Sequence, residues 1–168
     1  KDLLPVLANQ SYEGVTLEHQ TLMQWSKERM RRFPVVLPEY WENKNVNPYC
    51  FMDELFKQIK EDQIVVTGNG SACVVGFQAA NLKLGQRLWT NSGCATMGYD
   101  LPAAIGAHKG SGGKPIVCLA GDGSIMMNLQ ELQTIAGNHL PIKIFILNNS
   151  GYVSIFQTHR NFFNGVEV

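Results

Sequence analysis

Two polar motifs follow apolar segments that have the composition of buried strands. Gly121-Asp122-Gly123-Ser124 follows residues 116–120, and Asn148-Asn149-Ser150-Gly151 follows residues 142–147. If these segments are neighbouring parallel strands, their carboxyl ends meet at one sheet edge, which brings Asp122 close to Asn149. A carboxylate, an amide oxygen and a backbone carbonyl suit Mg2+ or Ca2+, and the glycines let backbone N–H groups approach a phosphate. Either motif alone predicts a turn; together they predict a metal-bridged phosphate site.

The elements that must position these motifs alternate between strands and helices after residue 63. Predicted strands cover residues 64–67, 87–89, 116–120 and 142–147, and predicted helices cover residues 74–81, 99–108 and 128–136. In the last helix, Asn128 and Glu131 have the spacing of a capping box. Before residue 63 we expect a helix capped by Thr16 and ending at Arg32, an extended connector over 34–47, and a helix over 48–60. This alternation predicts a parallel sheet that helices cover on both faces.

Composition separates the chain into two parts and excludes several functions. Residues 1–62 hold 18 of the 28 charges and one glycine, whereas residues 63–168 hold 10 charges and 15 glycines. A formal net charge of zero gives no attraction to nucleic acid or an anionic membrane. The longest uncharged stretch, 63–82, contains too many polar residues to span a bilayer, and the first residues lack the pattern of a signal peptide. Four cysteines without a CxxC pair predict free thiols in a cytoplasmic protein.

The segment from Gly121 to Asn149 resembles the thiamine diphosphate signature, which starts with GDG and ends with NN. Upstream, the segment SGCATMGYDLPAAIGAHKG is similar to the one that precedes this signature in the acetolactate synthase-like branch. The resemblance covers residues 48–168, the domain that binds the cofactor's diphosphate, and residues 1–47 resemble a helical leader and linker from a preceding domain. It implies a three-layer α/β/α fold with a mostly parallel sheet, and a domain that is incomplete at its C-terminus.

The resemblance also implies a role for particular residues. Asp122 and Asn149 would bind Mg2+ through their side chains, and Gly151 through its carbonyl. The Ala95 carbonyl would accept a hydrogen bond from the aminopyrimidine, and Met97 would be the wedge that bends the cofactor. The other residues that the resemblance assigns to thiamine diphosphate are Asn69, Gly70, Ser71, Ala72, Gly123, Ser124, Tyr152 and Val153.

Part of the active site is expected outside this chain. In the resembling enzymes, the glutamate that activates the cofactor lies in the pyrimidine-binding domain of another subunit. The resemblance therefore implies no catalytic residue here, an inactive fragment, and a homodimer or homotetramer at full length. It implies a 2-oxo acid substrate and leaves FAD binding undecided. Gln157-Thr158 departs from the Gln-Trp pair of biosynthetic acetolactate synthases, which leaves the acceptor substrate open.

Other interpretations are weaker or stay open. Gly68-x-Gly70-x-x-Cys73 follows a predicted strand, but it lacks the third glycine of a dinucleotide fingerprint, and no acidic residue stands between it and Asp100 to hold a ribose. Asp100 itself reads as a helix N-terminal residue. A non-catalytic metal- or phosphate-binding interaction module stays open, as does a thiamine diphosphate-dependent decarboxylase or hydrolase of different substrate.

Overall fold

The computed structural model describes residues 17–165, and contacts between residues divide the chain into two compact units, 1–35 and 36–168. The first unit contains helix α1 (Leu17–Arg32), which agrees with the predicted helix. Its proposed cap, Thr16, lies outside the described residues. The predicted domain boundary after residue 47 stays a prediction; the contacts place residues 36–47 with the second unit.

The second unit alternates helices and strands. It begins with a 3-10 helix (Pro38–Glu42) inside the segment predicted to be extended. The following elements are α2 (Pro48–Gln58), β1 (Ile64–Thr67), α3 (Ser71–Ala79), β2 (Arg87–Trp89), α4 (Asp100–Gly110), β3 (Ile116–Gly121), α5 (Asp122–Ile125), a 3-10 helix (Met126–Asn128), α6 (Glu131–Gly137), β4 (Ile142–Leu147) and α7 (Val153–Phe162).

The four strands form one fully parallel sheet in the order β2-β1-β3-β4. Thr67 pairs with Leu119, and Gly121 pairs with Leu147, so β3 ends level with β4 and two residues beyond the end of β1. The loops that follow β1, β3 and β4 therefore leave the sheet at the same edge. This arrangement confirms the predicted parallel sheet and brings the two polar motifs together.

The core has one layer on each face of the sheet. Val65, Val117 and Leu119 pack against α2 and α3, where Met52 and Phe56 are fully buried. The alternate strand residues Val66, Ile116 and Cys118 face the other way, against α4 and α6. Because successive side chains of a strand point to opposite faces, β1 and β3 contribute to both layers. The three-layer α/β/α architecture is thereby confirmed.

One local prediction was wrong and one element was not foreseen. Helix α6 begins at Glu131 rather than Asn128, and no side chain caps it. Asn128 Oδ1, which would accept in a capping box, accepts instead from Gln130 Nε2 at 3.1 Å, and Nδ2 donates to the Gly98 carbonyl at 2.7 Å, so the predicted capping box does not form. The GDG motif opens α5 directly after β3. Helix α7 was not predicted, because its segment carries no strong start or stop signal.

No helix among the residues that the structure describes is long and apolar enough to cross a bilayer. All four cysteines are free; Cys50, Cys73 and Cys118 are buried and Cys94 is exposed.

Burial, as the main cause, and the negative charge of Asp100, as the second, raise the pKa of the Cys118 thiol from 9.0 to about 12. Above about pH 9 the unfolded thiol ionises while the folded one does not, so the free energy of unfolding falls as pH rises.

We expect thiol reactivity to follow this burial. At pH 8 a disulfide reagent should label Cys94 within minutes and leave Cys118 unlabelled until the protein is denatured, because only an accessible thiolate attacks. Peptide mass spectrometry of the native and denatured protein measures the labelled positions, and the Cys94→Ser variant serves as the control. Rapid labelling of Cys118 in the native protein would contradict the burial described here.

Candidate functional site

A cleft of about 380 Å³ lies at the carboxyl edge of the sheet. Eleven of the thirteen predicted site residues line it: Asn69, Gly70, Ala95, Met97, Asp122, Gly123, Ser124, Asn149, Gly151, Tyr152 and Val153. Ser71 instead lines the adjacent cavity, together with Asn149, and the Ala72 side chain is fully buried in the core. Sequence reasoning did not include Gly121, Ser154 and Ile155, which also line the cleft.

The Asp122 carboxylate is held by two backbone N–H groups. The Gly123 N–H donates to Oδ1 at 3.0 Å, and the Gly151 N–H donates to Oδ2 at 2.8 Å. The second bond joins the loop after β3 to the loop after β4, across 29 positions of sequence. Gly151 has a φ of +113°, a left-handed conformation that favours glycine. The turn after β4 therefore helps to fix the carboxylate.

The Asn149 side chain completes a group of converging polar atoms. One of the two terminal atoms of the Asn149 amide lies 3.2 Å from Asp122 Oδ1 and 2.8 Å from the Gly151 carbonyl oxygen. If this atom is Nδ2, it donates to both oxygens. If it is Oδ1, three oxygens converge without a proton between them, and Nδ2 donates outward to Ser71 Oγ at 3.4 Å. The first orientation suits a site without a cation, and the second is the one that a cation requires.

The distances from the Asn149 terminal atom to the two oxygens fit a small divalent cation. Around an octahedral Mg2+ with ligands at about 2.0–2.1 Å, adjacent oxygens lie about 2.9 Å apart. The separations of 2.8 and 3.2 Å agree with that spacing. Across residues 17–165, no three His, Cys, Asp or Glu side chains form a metal-binding cluster. A hard cation at this cleft would thus depend on one carboxylate, one amide and one backbone carbonyl.

The opposite wall of the cleft comes from the loop after β1 and the loop before α4. Asn69 Nδ2 donates to the Ala95 carbonyl oxygen at 2.6 Å, which joins the two loops. Ala95 has a φ of +52°, an uncommon conformation for a residue with a Cβ atom. The half-buried Met97 lines the cleft two residues later. The structure therefore brings Asn69, Ala95 and Met97 to the same cleft as Asp122 and Asn149.

Ser124 and Tyr152 contribute differently from their prediction as simple ligands. The Ser124 hydroxyl is buried and donates to Asp100 Oδ2 at 2.6 Å, so its single proton is not free for a phosphate. Its backbone N–H is in the first turn of α5, where helix N–H groups lack an intrahelical acceptor. The Tyr152 ring lies against Gly123, where an added Cβ would be 2.6 Å from the ring. Tyr152 thus covers the GDG turn.

The main residue that sequence reasoning missed is Asp100. It begins α4, as predicted, but its side chain is completely buried. Oδ1 accepts from the Leu101 N–H at 3.0 Å, and Oδ2 accepts from Ser124. Gly68 lies directly against it, since a Cβ there would be 2.6 Å from Oδ2. The sequence held one signal for this buried role. Asp100 precedes the apolar helix segment LPAAIGA, and Gly68 stands at the end of a strand.

The comparisons with known proteins identify the family to which this domain belongs. Residues 68–168 match the family model described as thiamine pyrophosphate enzyme, C-terminal TPP binding domain. The chain is 30% identical to acetolactate synthase isozyme 1 large subunit of Escherichia coli (strain K12) over 150 residues. This alignment covers 88% of this chain and 26% of that protein. It is 38% identical over 142 residues to the acetolactate synthase large subunit of Cyanidium caldarium, covering 84% and 23%.

A third relative is acetolactate synthase 2, chloroplastic, of Zea mays, with 32% identity over 136 residues, 81% of this chain and 21% of that protein. The chain therefore spans about a quarter of the length of these curated relatives. The family match covers the loops after β1, β3 and β4, which build the cleft. The chain belongs to the thiamine pyrophosphate enzymes and carries the C-terminal TPP-binding domain of their acetolactate synthase-like members.

Proposed function

We propose that this domain holds the diphosphate of thiamine diphosphate through a Mg2+ ion, within an acetolactate synthase-like enzyme that acts on 2-oxo acids. The observation that carries the proposal is the convergence of Asp122 Oδ1, the Gly151 carbonyl and the Asn149 amide, at separations of 2.8 and 3.2 Å. This donor set suits Mg2+, which usually keeps positions for water and phosphate oxygens. Asp122, Asn149 and Gly151 would be the three protein ligands.

The diphosphate would lie between the loop that contains Gly70, after β1, and the loops that contain the metal ligands, after β3 and β4. The first turns of α3 and α5 face this edge of the sheet, and their N–H groups have no acceptor within the helix. Ser71, Ala72 and Ser124 would contribute these backbone groups, since the Ala72 side chain and the Ser124 hydroxyl are otherwise engaged. Gly123 would allow the diphosphate to approach the backbone closely, and the Tyr152 ring packs against this glycine.

The remaining residues would orient the cofactor's ring system. Bound thiamine diphosphate supplies carbanion stabilisation, which amino-acid side chains do not provide. Met97 would support the bent conformation by packing from the wall of the cleft, and the Ala95 carbonyl would accept from the aminopyrimidine. Asn69, which donates to that carbonyl at 2.6 Å, would hold the acceptor in place. One carbonyl oxygen has two lone pairs, so both bonds can coexist.

The proton-handling glutamate would come from the pyrimidine-binding domain of another subunit, in a homodimer or homotetramer. Among the residues that line the cleft there is no glutamate. We therefore expect the 168-residue chain alone to show no 2-oxo acid turnover. Four free cysteines suit a reducing compartment, and we propose the cytoplasm, although the maize relatives are named chloroplastic.

Calorimetric titration of the full-length protein with thiamine diphosphate tests the proposal. We expect saturable binding with Mg2+ present and a loss of at least about tenfold in affinity when a chelator removes the ion, because the diphosphate then meets an uncompensated carboxylate. The product pattern from pyruvate, alone and with a second 2-oxo acid, then separates carboligase from decarboxylase or hydrolase activity. Binding that does not depend on a divalent cation would refute the proposed metal bridge.

A further inference from the structure

Both backbone groups of Gly98, the residue after Met97, are held by side chains from the segment that follows Asp122. The Gly98 N–H donates to Ser124 Oγ at 2.9 Å, and the Gly98 carbonyl accepts from Asn128 Nδ2 at 2.7 Å. Ser124 is in α5 and Asn128 ends the following 3-10 helix. We name Ser124 and Asn128 the Gly98 clamp.

The space around Gly98 shows how closely the two segments approach. Gly98 is buried, and its φ of +79° lies in the left-handed region. A Cβ atom there would be 2.7 Å from Met127 Cβ and 2.8 Å from Asn128 Nδ2. The loop before α4 therefore rests directly on the segment after the GDG motif, and only a glycine allows both hydrogen bonds at this distance.

Asp100 determines the direction of the Ser124 hydroxyl. Because Oδ2 of the buried Asp100 accepts the hydroxyl proton at 2.6 Å, the oxygen lone pairs of Ser124 point to the Gly98 N–H. The carboxylate accepts at both oxygens, from Leu101 and from Ser124, so it cannot turn away without leaving a buried donor unpaired. Asp100 thus supports the clamp from behind.

We propose that Ser124 and Asn128, supported by Asp100, are positioning residues that fix the Met97 wall of the cleft relative to the metal ligands. The inference rests on the proposed function, in which Met97 supports the cofactor's rings. The metal side does not need the clamp, because the Gly123 and Gly151 N–H groups hold Asp122 independently. Loss of the clamp should therefore weaken binding of the ring system and leave binding of the diphosphate intact.

Two probes that share the diphosphate and differ in the rings test this separation in the full-length enzyme. Inorganic pyrophosphate with Mg2+ reports the metal side, and thiamine diphosphate with Mg2+ reports both sides. In Asn128→Ala and in Ser124→Ala we expect the dissociation constant for thiamine diphosphate to rise about tenfold, since each variant leaves buried polar groups of Gly98 or Asp100 unpaired. The constant for pyrophosphate should change less than about twofold.

The matched control variants remove a serine hydroxyl or an asparagine amide that donates to a backbone carbonyl outside the clamp. Ser111 Oγ donates to the His108 carbonyl at the end of α4, and Asn138 Nδ2 donates to the Thr134 carbonyl at the end of α6. Ser111→Ala and Asn138→Ala should leave both dissociation constants unchanged. Asn128 is only half-buried, so Asn128→Ala keeps the test possible if Ser124→Ala fails to fold.

Hydrogen exchange provides a readout without any cofactor. In the apo enzyme, the Gly98 amide should exchange faster in Ser124→Ala than in the parent protein, whereas the Gly151 amide, bound to Asp122, should not change. Equal losses for both probes, or unchanged binding of both, would overturn the clamp while the proposed function stands. If the parent enzyme binds neither probe, the proposed function fails and the clamp's role fails with it.

Discussion

Replacing Asp122 with alanine is expected to weaken Mg2+-dependent binding of thiamine diphosphate by at least about 100-fold, since loss of a supporting partner of a metal ligand alone costs about 10–100-fold. Asp122 is the single carboxylate of the converging group, so the variant leaves one amide and one carbonyl, both uncharged, to hold a divalent cation. It also removes the bond to the Gly151 N–H that joins the loops after β3 and β4. Calorimetric titration of the full-length enzyme measures the effect.

Two further variants separate charge from structure in this experiment. Asp122→Asn keeps the shape of the side chain and removes the charge, so it should lose most of the affinity. Because its NH2 group cannot accept, it also loses one of the two backbone hydrogen bonds and should unfold at a slightly lower temperature than the parent protein. Asp53→Asn changes a half-buried carboxylate on α2 that pairs with the exposed Lys57, so it should leave binding unchanged. If Asp122→Asn binds the cofactor and Mg2+ as the parent does, a carboxylate-metal contact is ruled out.

Gly68→Ala is expected to destabilise the fold by about 2–3 kcal/mol, which is the usual cost of forcing extra atoms into a packed interior. The added Cβ would lie 2.6 Å from Asp100 Oδ2 and 3.4 Å from its Cβ and Cγ. Asp100 has no free direction to move, because both its oxygens are bonded and the side chain is fully buried. The midpoint of thermal unfolding should fall by about 5–10 °C.

Gly106→Ala is the matched control and should change stability in the opposite direction. Gly106 lies within α4, and a Cβ there would have no atom within 4 Å. Alanine in a helix interior is favoured over glycine by about 0.5–1 kcal/mol, so this variant should unfold at a higher temperature. Equal stability of the Gly68→Ala variant and the parent protein would show that Asp100 does not occupy the position described.

Local patterns were sufficient to predict the sheet and its edge. The short apolar segments at 64–67, 116–120 and 142–147 are β-branched and are bounded by glycine or polar turns, which indicates buried parallel strands. Once these strands pair, the geometry of a parallel sheet places Asp122 and Asn149 at one edge without further information. This is why the proximity of Asp122 and Asn149 could be predicted before the structure was known.

The contacts that lock the cleft could not be predicted in this way, because they join residues far apart in sequence. Asn128 has the spacing to Glu131 of a capping residue, but its side chain is engaged by the Gly98 carbonyl, 30 positions upstream, and by Gln130. Asp100 reads as an ordinary first-turn acid, since its partners Gly68 and Ser124 are 32 and 24 positions away. Tertiary contacts of this kind override local preference, and no periodic pattern records them.

The backbone restraint on Asp122 also bears on which cation the site would select. Calcium takes six to eight ligands and often chelates both oxygens of a carboxylate, at about 2.3–2.6 Å, whereas magnesium prefers one oxygen and about 2.0–2.1 Å. Here Oδ2 is held toward the Gly151 N–H, so turning both oxygens toward one ion would cost this hydrogen bond. Selectivity would then come from the rigidity of two strand ends, and a looser Gly151 turn would admit the larger ion without the loss of any ligand.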